Sequence, residues 1–338
     1  MQKLIVYSLS ISFFIFLISF YICKYKKLFI DDPNKKKHAI HKNIVPRCGG
    51  IPIYISFNIL SIIYKVTINI FISMAYLPSF IVGIIEDLTQ KVPQKYRLIS
   101  FFISGLLFSI LTGYYLSYID LIFIKIPLFK VLAIIFTAFA ITGIASAINL
   151  IDGLNGLASG VSLIASLSFL YVAFQLQDIF LIKALSLFII SIIPFFIFNF
   201  PLGKIFLGDT GAYFLGFSLA CYSIILVNRH TEVSHYYPFS VLAYPIVETF
   251  VTIYRRYKRK KEKGINFWIS EKEHLHTMLR ILSKKNSLSS LLILAIYSIF
   301  VILSTIFYKN KIILVFLTLI QILLYLAAYS NLRKKLKL

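Results

Sequence analysis

Apolar runs of membrane-spanning length follow one another along almost the whole chain, separated by short polar stretches. A hydrocarbon core takes about 20 apolar residues per helix. On that spacing the pattern predicts eleven spans, at 4–23, 49–64, 67–86, 98–117, 129–148, 157–175, 179–198, 211–228, 237–254, 289–307 and 311–330. The predicted fold is all-α, a polytopic transmembrane helical protein of about 11 TM helices in one integral-membrane unit over 1–338. The first span is longer than the apolar core of a signal peptide. CKYKK follows it where a cleavage site would have small residues, so it reads as a retained helix.

Eleven spans put the two termini on opposite sides. The side receiving 24–48, 87–97, 149–156, 199–210, 255–288 and the tail RKKLKL carries 27 of the 35 lysines and arginines. By the positive-inside rule that side is cytoplasmic, with the N-terminus out and the C-terminus in. A bacterial cytoplasmic (inner) membrane is the expected location.

Composition agrees: 59% of residues are hydrophobic and only 14% charged, too few charges for a soluble domain of 338 residues. The net charge of +22 is explained by topology and by attraction to anionic lipid. No nucleic-acid partner is expected, because the basic residues lie on membrane-tethered loops without a recognition module. Cys23, Cys48 and Cys221 are scattered and odd in number, so they define neither a disulfide framework nor a zinc site.

Four polar stretches interrupt this pattern on the predicted inner face. GIIEDLTQKVPQKYR (83–97) places Glu86 and Asp87 at a membrane boundary, where adjacent carboxylates serve a cation, serve chemistry, or end a helix in solvent. In NLIDGLNGLASG (149–160), Asn149 and Asp152 share a helix face if the span continues through them, and the glycines allow a ligand close to the backbone. The alternative is that Asp152 caps the next helix. In FPLGKIFLGDTGAYFLGF (200–217), Asp209 stands beside a helix N-terminus, as a carboxylate holding a divalent metal against phosphate or as a simple cap. In EKEHLHTMLR (271–280), His274 and His276 would diverge by about 200° on a helix, which argues against a shared metal. They are left as phosphate or uracil contacts on a non-helical backbone, or as an exposed pair. The oxygen-rich set suits Mg²⁺ best, with Mn²⁺ allowed. Glu248 reads as a buried structural acid with a partner on a neighbouring helix.

At these residues the sequence resembles the polyprenyl-phosphate N-acetylhexosamine-1-phosphate transferase family. The resembling segments are HKNIVPRCGGIPIY, GIIEDLTQKVPQKYR, NLIDGLNGLASG, FLGDTGAYFLG, and YPIVETFVTIYRR followed by EKEHLHTMLR. The resemblance implies Mg²⁺-dependent transfer of a sugar 1-phosphate from a UDP-N-acetylhexosamine to undecaprenyl phosphate, with release of UMP. It implies Asp209 as the metal ligand and Glu86, Asp87 and Asp152 as catalytic carboxylates. Asn149, Asn155, Lys95, His274, His276, Arg47 and His41 become substrate-binding residues, and a homodimer is allowed. Glu86 stands where many members have Asp, Ala212 where Ser is common, and Thr277 where a third His is common. These departures point to the branch that starts surface polysaccharides rather than the UDP-MurNAc-pentapeptide-using peptidoglycan branch. Outside the family, the competing class is a membrane transporter or channel, which would put its acids near the bilayer midplane.

Overall fold

The computed structural model describes residues 2–26, 29–31, 45–266 and 273–337. In chain order the helices are α1 (Gln2–Tyr25), α2 (Gly50–Ile63), α3 (Thr67–Thr89), α4 (Gln94–Thr112), α5 (Lys130–Ile151), α6 (Leu157–Gln175), α7 (Ile179–Asn199), α8 (Gly208–Arg229), α9 (Tyr236–Val241), α10 (Ala243–Lys263), α11 (Leu275–Ser283), α12 (Asn286–Ile306) and α13 (Lys311–Leu336). The strands form two short antiparallel ribbons, β1 (Ile30–Asp31) with β2 (Val45–Pro46) and β3 (Tyr118–Asp120) with β4 (Lys125–Pro127). The protein is an all-α, multi-pass membrane protein.

Among the described residues nine helices are long and apolar enough to cross a bilayer: α1, α3 to α8, α12 and α13. The other two predicted spans differ. The second is α2, only 14 residues long. The ninth is not one helix: α9 stops and α10 starts at Leu242. Pro238 and Pro245 flank that junction, and neither can donate a backbone N–H to a continuous helix. From there α10 runs well past the predicted end at 254, to Lys263, on a basic last turn.

The packing is organised around α8, whose residues from Gly208 to Val227 are all buried. It touches α2, α3, α4, α5 and α6. Small residues at Gly208, Ala212, Gly216 and Ala220 recur every four positions, which lets neighbouring backbones come close. A Cβ at Gly216 would lie 2.7 Å from Ala145 Cα on α5. A Cβ at Gly50 would overlap the backbone of Gly211, and one at Gly83 would lie 2.8 Å from Thr210 Cα. Buried polar side chains add interhelical bonds. Asn69 Nδ2 donates to Ala184 O (3.1 Å), and Tyr222 Oη donates to Asn69 Oδ1 (2.8 Å).

The loops meet in two groups, as alternating spans require. At one end Arg256 Nη1 donates to Gln94 Oε1 (3.4 Å), Asn155 N to Asn286 Oδ1 (2.8 Å), and Arg333 approaches Glu273 (3.5 Å). At the other, Lys311 pairs with Asp120, Lys309 with Glu232, and Arg229 Nε donates to Asp178 (2.6 Å). The four polar stretches singled out in the sequence all lie at the first end.

The Gly50–Gly211 crossing yields a test. Gly50→Ala should cost about 1–3 kcal/mol of stability, because backbone rather than a flexible side chain must yield. Gly143→Ala, with nothing within 4 Å of the added carbon, should be neutral. Melting temperatures in detergent decide; equal values for the two variants would refute the close crossing.

Candidate active site

The first turn of α8 begins in the protein interior, and its leading N–H groups have no partner within the helix. The residue before it, Leu207, offers no side-chain cap. Asp87, in the last turn of α3, supplies the acceptors from outside. Its Oδ1 accepts from Asp209 N (2.7 Å), and its Oδ2 accepts from Thr210 N (2.9 Å) and Thr210 Oγ1 (2.6 Å). Gly208 makes room for this contact at φ +76°, since a Cβ there would lie 2.8 Å from both Asp87 Oδ2 and Arg47 O. An anionic group at this end of the helix is also favoured by the helix dipole.

Asp209 therefore does not cap its own helix. Its carboxylate lies between two guanidinium groups: Arg47 Nη2 donates to Oδ2, and Arg97 Nη1 lies 3.7 Å from Oδ1. Arg47 also reaches Asp87, with Nε 3.3 Å from Oδ1. Glu86 turns away from its neighbour. Its Oε2 accepts from Val92 N (2.7 Å) and its Oε1 from Arg97 Nη2 (2.6 Å), so it fixes the turn between α3 and α4.

Asn149 ends up in the last turn of α5, and Asp152 is the first residue beyond it. The predicted sharing of a face holds only loosely, because the helix stops at Ile151. Nor does Asp152 cap α6, whose N-cap is Gly156 at φ +75° without a side-chain bond. No hydrogen bond to the Asp152 carboxylate is present among the described residues. Burial pushes that carboxyl up to about 7; Arg47 opposes the rise, and Asp209 and Asp87 add to it. Asn155 makes two bonds within the protein, its Nδ2 donating to Pro201 O (3.4 Å) and its N–H to Asn286 Oδ1 (2.8 Å).

The two histidines do not diverge. His274 is extended (φ −82°, ψ 146°) and only Leu275 onward is helical, so the rings stack with centroids 5.3 Å apart and planes 8° from parallel. Glu248 holds this arrangement. It accepts from His274 Nδ1 (2.9 Å), Leu275 N (3.4 Å) and Tyr325 Oη (2.7 Å), and it is fully buried, as the sequence suggested. His276 is pressed against Gly153 by its Nε2, where a Cβ would overlap it, and its Nδ1 has no hydrogen-bond partner among the described residues. Burial pushes the His276 ring down to about 4, only partly offset by Glu248, so it is neutral at physiological pH.

Lys95 is exposed and takes no part in these contacts; Arg97 does instead. Two positions apart on α4, the two side chains leave the helix about 200° apart. Arg97 was the residue missed in the sequence, although it closes the acidic stretch. His41 lies outside the described residues. Arg47, Glu86, Asp87, Asp152, Asp209 and the His274–His276 pair thus converge from five separate segments, at the end of a membrane-embedded helical fold.

Acids and arginines around a buried helix N-terminus are groups that can hold phosphate and a cation at the end of a membrane-embedded fold. Comparison with known proteins makes this specific. Residues 68–227 match the model of glycosyl transferase family 4. The chain is 31% identical over 302 residues, 87% of its length and 81% of the relative's, to a probable undecaprenyl-phosphate N-acetylglucosaminyl 1-phosphate transferase of Bacillus subtilis. It is 31% identical over 236 residues, 69% of its length and 70% of the relative's, to a putative glycosyltransferase of Methanocaldococcus jannaschii. A shorter stretch of 99 residues, 29% of the chain and 30% of the relative, is 41% identical to a phospho-N-acetylmuramoyl-pentapeptide-transferase of Lactobacillus helveticus. The chain belongs to glycosyl transferase family 4.

The two central aspartates should separate cleanly. Asp87→Asn replaces an acceptor of three bonds with a group whose NH₂ opposes the α8 donors, and should cost about 1–3 kcal/mol. Asp152→Asn breaks no bond and should stay within about 0.5 kcal/mol at low pH. The sign for pH follows from linkage: a carboxyl raised from 3.8 to about 7 on folding holds its proton longer in the native state. Its stabilisation is present below about 4 and is lost as pH rises to about 7. Thermal melts across pH 4–8 should show wild type falling relative to Asp152→Asn; parallel curves would sink the assignment.

Proposed function

We propose that the protein transfers an N-acetylhexosamine 1-phosphate from its UDP derivative to undecaprenyl phosphate at the cytoplasmic face of a bacterial inner membrane. A lipid-phosphate oxygen attacks the β-phosphorus of the UDP-sugar. The bond from that phosphorus to the bridging oxygen breaks, UMP leaves with that oxygen, and the product is a polyprenyl diphospho-sugar. N-acetylglucosamine is the sugar favoured, because the Bacillus subtilis relative is a probable N-acetylglucosaminyl 1-phosphate transferase. The product would start a lipid-linked surface polysaccharide.

The observation that carries this reading is the cluster around Asp209. Four carboxylates (Glu86, Asp87, Asp152 and Asp209) gather about two guanidiniums, Arg47 and Arg97. That excess of negative charge suits one divalent cation. No group of three or more His, Cys, Asp or Glu side chains is arranged to hold a metal among the described residues. An oxygen-only site of one or two carboxylates fits Mg²⁺, which keeps several waters and completes its shell with substrate phosphate. Asp209 would hold it with Asp152 near by, and when bound it would neutralise charge on the diphosphate. Arg47 and Arg97 bind and orient phosphate oxygens, the main catalytic need of phosphoryl transfer. A lipid phosphate is largely ionised at neutral pH, so no strong base is required of Glu86 or Asp87. Both are engaged elsewhere, in the α3–α4 turn and on α8, which favours positioning roles for them. His276, neutral and pressed on Gly153, suits the uracil side of the donor.

The lipid needs an apolar route to this point. A groove of about 520 Å³ between α5, α8 and α10, lined by Phe139, Ala147, Ile246, Thr249, Phe250 and Ile253 among others, would take the lipid chain. A transporter reading is disfavoured by the same geometry. Glu86, Asp87, Asp152 and Asp209 sit at helix ends, and Glu248 is fully engaged with His274 and Tyr325.

The test is UMP release by protein in detergent given undecaprenyl phosphate and a panel of UDP-N-acetylhexosamines, including UDP-MurNAc-pentapeptide. Release should need lipid and divalent metal and fall by at least about 10³-fold in Asp209→Asn. No release from folded protein with any donor would refute the reading.

A further inference from the structure

Arg47 and a divalent cation need the same carboxylate. The guanidinium donates to Asp209 Oδ2 and bridges to Asp87 Oδ1 at 3.3 Å, while Arg97 stands 3.7 Å from the other Asp209 oxygen. Each oxygen of the Asp209 carboxylate thereby has a guanidinium beside it. Arg47 and Arg97 remain about a fifth exposed (22% and 23%), whereas Asp209 is 7% exposed. The arginines are on the solvent side and the carboxylate lies beneath them.

We propose that Arg47 is an internal counter-ion that keeps Asp209 closed to metal until a nucleotide diphosphate arrives. The inference rests on the reading of Asp209 as the metal-binding residue and adds the order of events. A carboxylate this deep needs a compensating charge, because a lone buried charge has lost its hydration. In the protein without substrate Arg47 meets that need. A cation approaching alone would have to displace the guanidinium and leave it without its anion. A cation arriving on a diphosphate brings the replacement anion with it: Arg47 transfers its bonds from Asp209 to phosphate oxygens as the metal takes Asp209. The exchange conserves paired charge throughout. The consequence is ordered binding, with metal and donor entering as one complex and little metal held by the protein alone.

Two features of the chain fit this role. Arg47 follows Pro46 in β2, and its backbone is pinned by Arg47 N to Phe29 O (2.6 Å) and Phe206 N to Pro46 O (2.8 Å). The side chain can therefore move while its anchor stays. Cys48, Gly49 and Gly50 follow at once, and Gly49 N and Gly50 N donate to Phe206 O (3.0 Å) and Leu207 O (2.8 Å), so the same segment is tied to the residues leading into α8. Guanidinium and carboxylate thus keep their register whichever partner each holds.

The test uses Mn²⁺ as the probe, read by electron paramagnetic resonance on the full chain in detergent, alone and with UDP. Wild type should bind Mn²⁺ weakly alone and at least about tenfold more tightly with UDP present. Arg47→Gln should bind Mn²⁺ alone at least about tenfold more tightly than wild type and lose most of the UDP effect. Arg47→Lys, which keeps the charge but not the double contact, should fall between them and guards against a misfolded Gln variant. Tight binding by wild type alone, or Arg47 variants that bind Mn²⁺ no better, would overturn the proposal. If Asp209→Asn leaves Mn²⁺ binding unchanged, the metal assignment itself fails, and the ordered exchange with it.

Discussion

The structure depends on one carboxylate closing one buried helix end. α8 is surrounded by protein along its length, so the unpaired N–H groups of its first turn have no water to turn to. Asp87 accepts from two of them, Asp209 N and Thr210 N, and from the Thr210 hydroxyl as well. In doing so it fixes where α3 meets α8, orients the peptide of Asp209, and leaves a negative charge that Arg47 must balance. Arg47 and Asp209 are placed around that contact. Replacing it by water would require opening the helix packing, and replacing it by a neutral cap would take away one of the two carboxylates that Arg47 pairs with.

Close packing around this contact explains where the glycines fall. Gly50, Gly83 and Gly211 let three backbones cross near Thr210, and Gly208 brings α8 down onto Asp87. Gly153 does the same for the second half of the site, where His276 rests on the backbone beside Asp152. In a membrane, apolar burial gives helices little reason to associate, so small residues and buried polar bonds must supply it. The glycines that look like loop residues in the sequence are contact points between elements far apart in the chain.

Much of this was legible in the sequence because hydropathy reports the environment of each helix. The order of the helices and the convergence of the four polar stretches at one end follow directly from span length and alternation. The break at Leu242 was signalled by Pro238 and Pro245, although a purely apolar window passes over them. Side-chain direction was not legible. Glu86 and Asp87 look like a matched pair, but consecutive positions on a helix point about 100° apart, so one reaches the α3–α4 turn and the other α8. Lys95 and Arg97 differ in the same way. Helical geometry alone would set the two histidines apart; Glu248, 26 residues from His274 in sequence, holds His274 extended, outside the helix that His276 joins.

The placement of charge also bears on what chemistry the site can perform. An enzyme joining a membrane lipid to a water-soluble nucleotide must hold phosphate at the boundary between two solvents. Acids deep in the bilayer would repel that phosphate, and acids in open water would be screened by salt. Here the carboxylates sit at helix ends, buried by neighbouring helices yet reached from the loops, with arginines on the outer side. In the proposed reaction positive charge would meet the incoming anion first, with negative charge beneath it for a cation. Two opposite layers, each incomplete alone, would let a diphosphate and its metal complete both at once. The same residues in one mixed layer would bind either ion separately and hold neither in line for transfer.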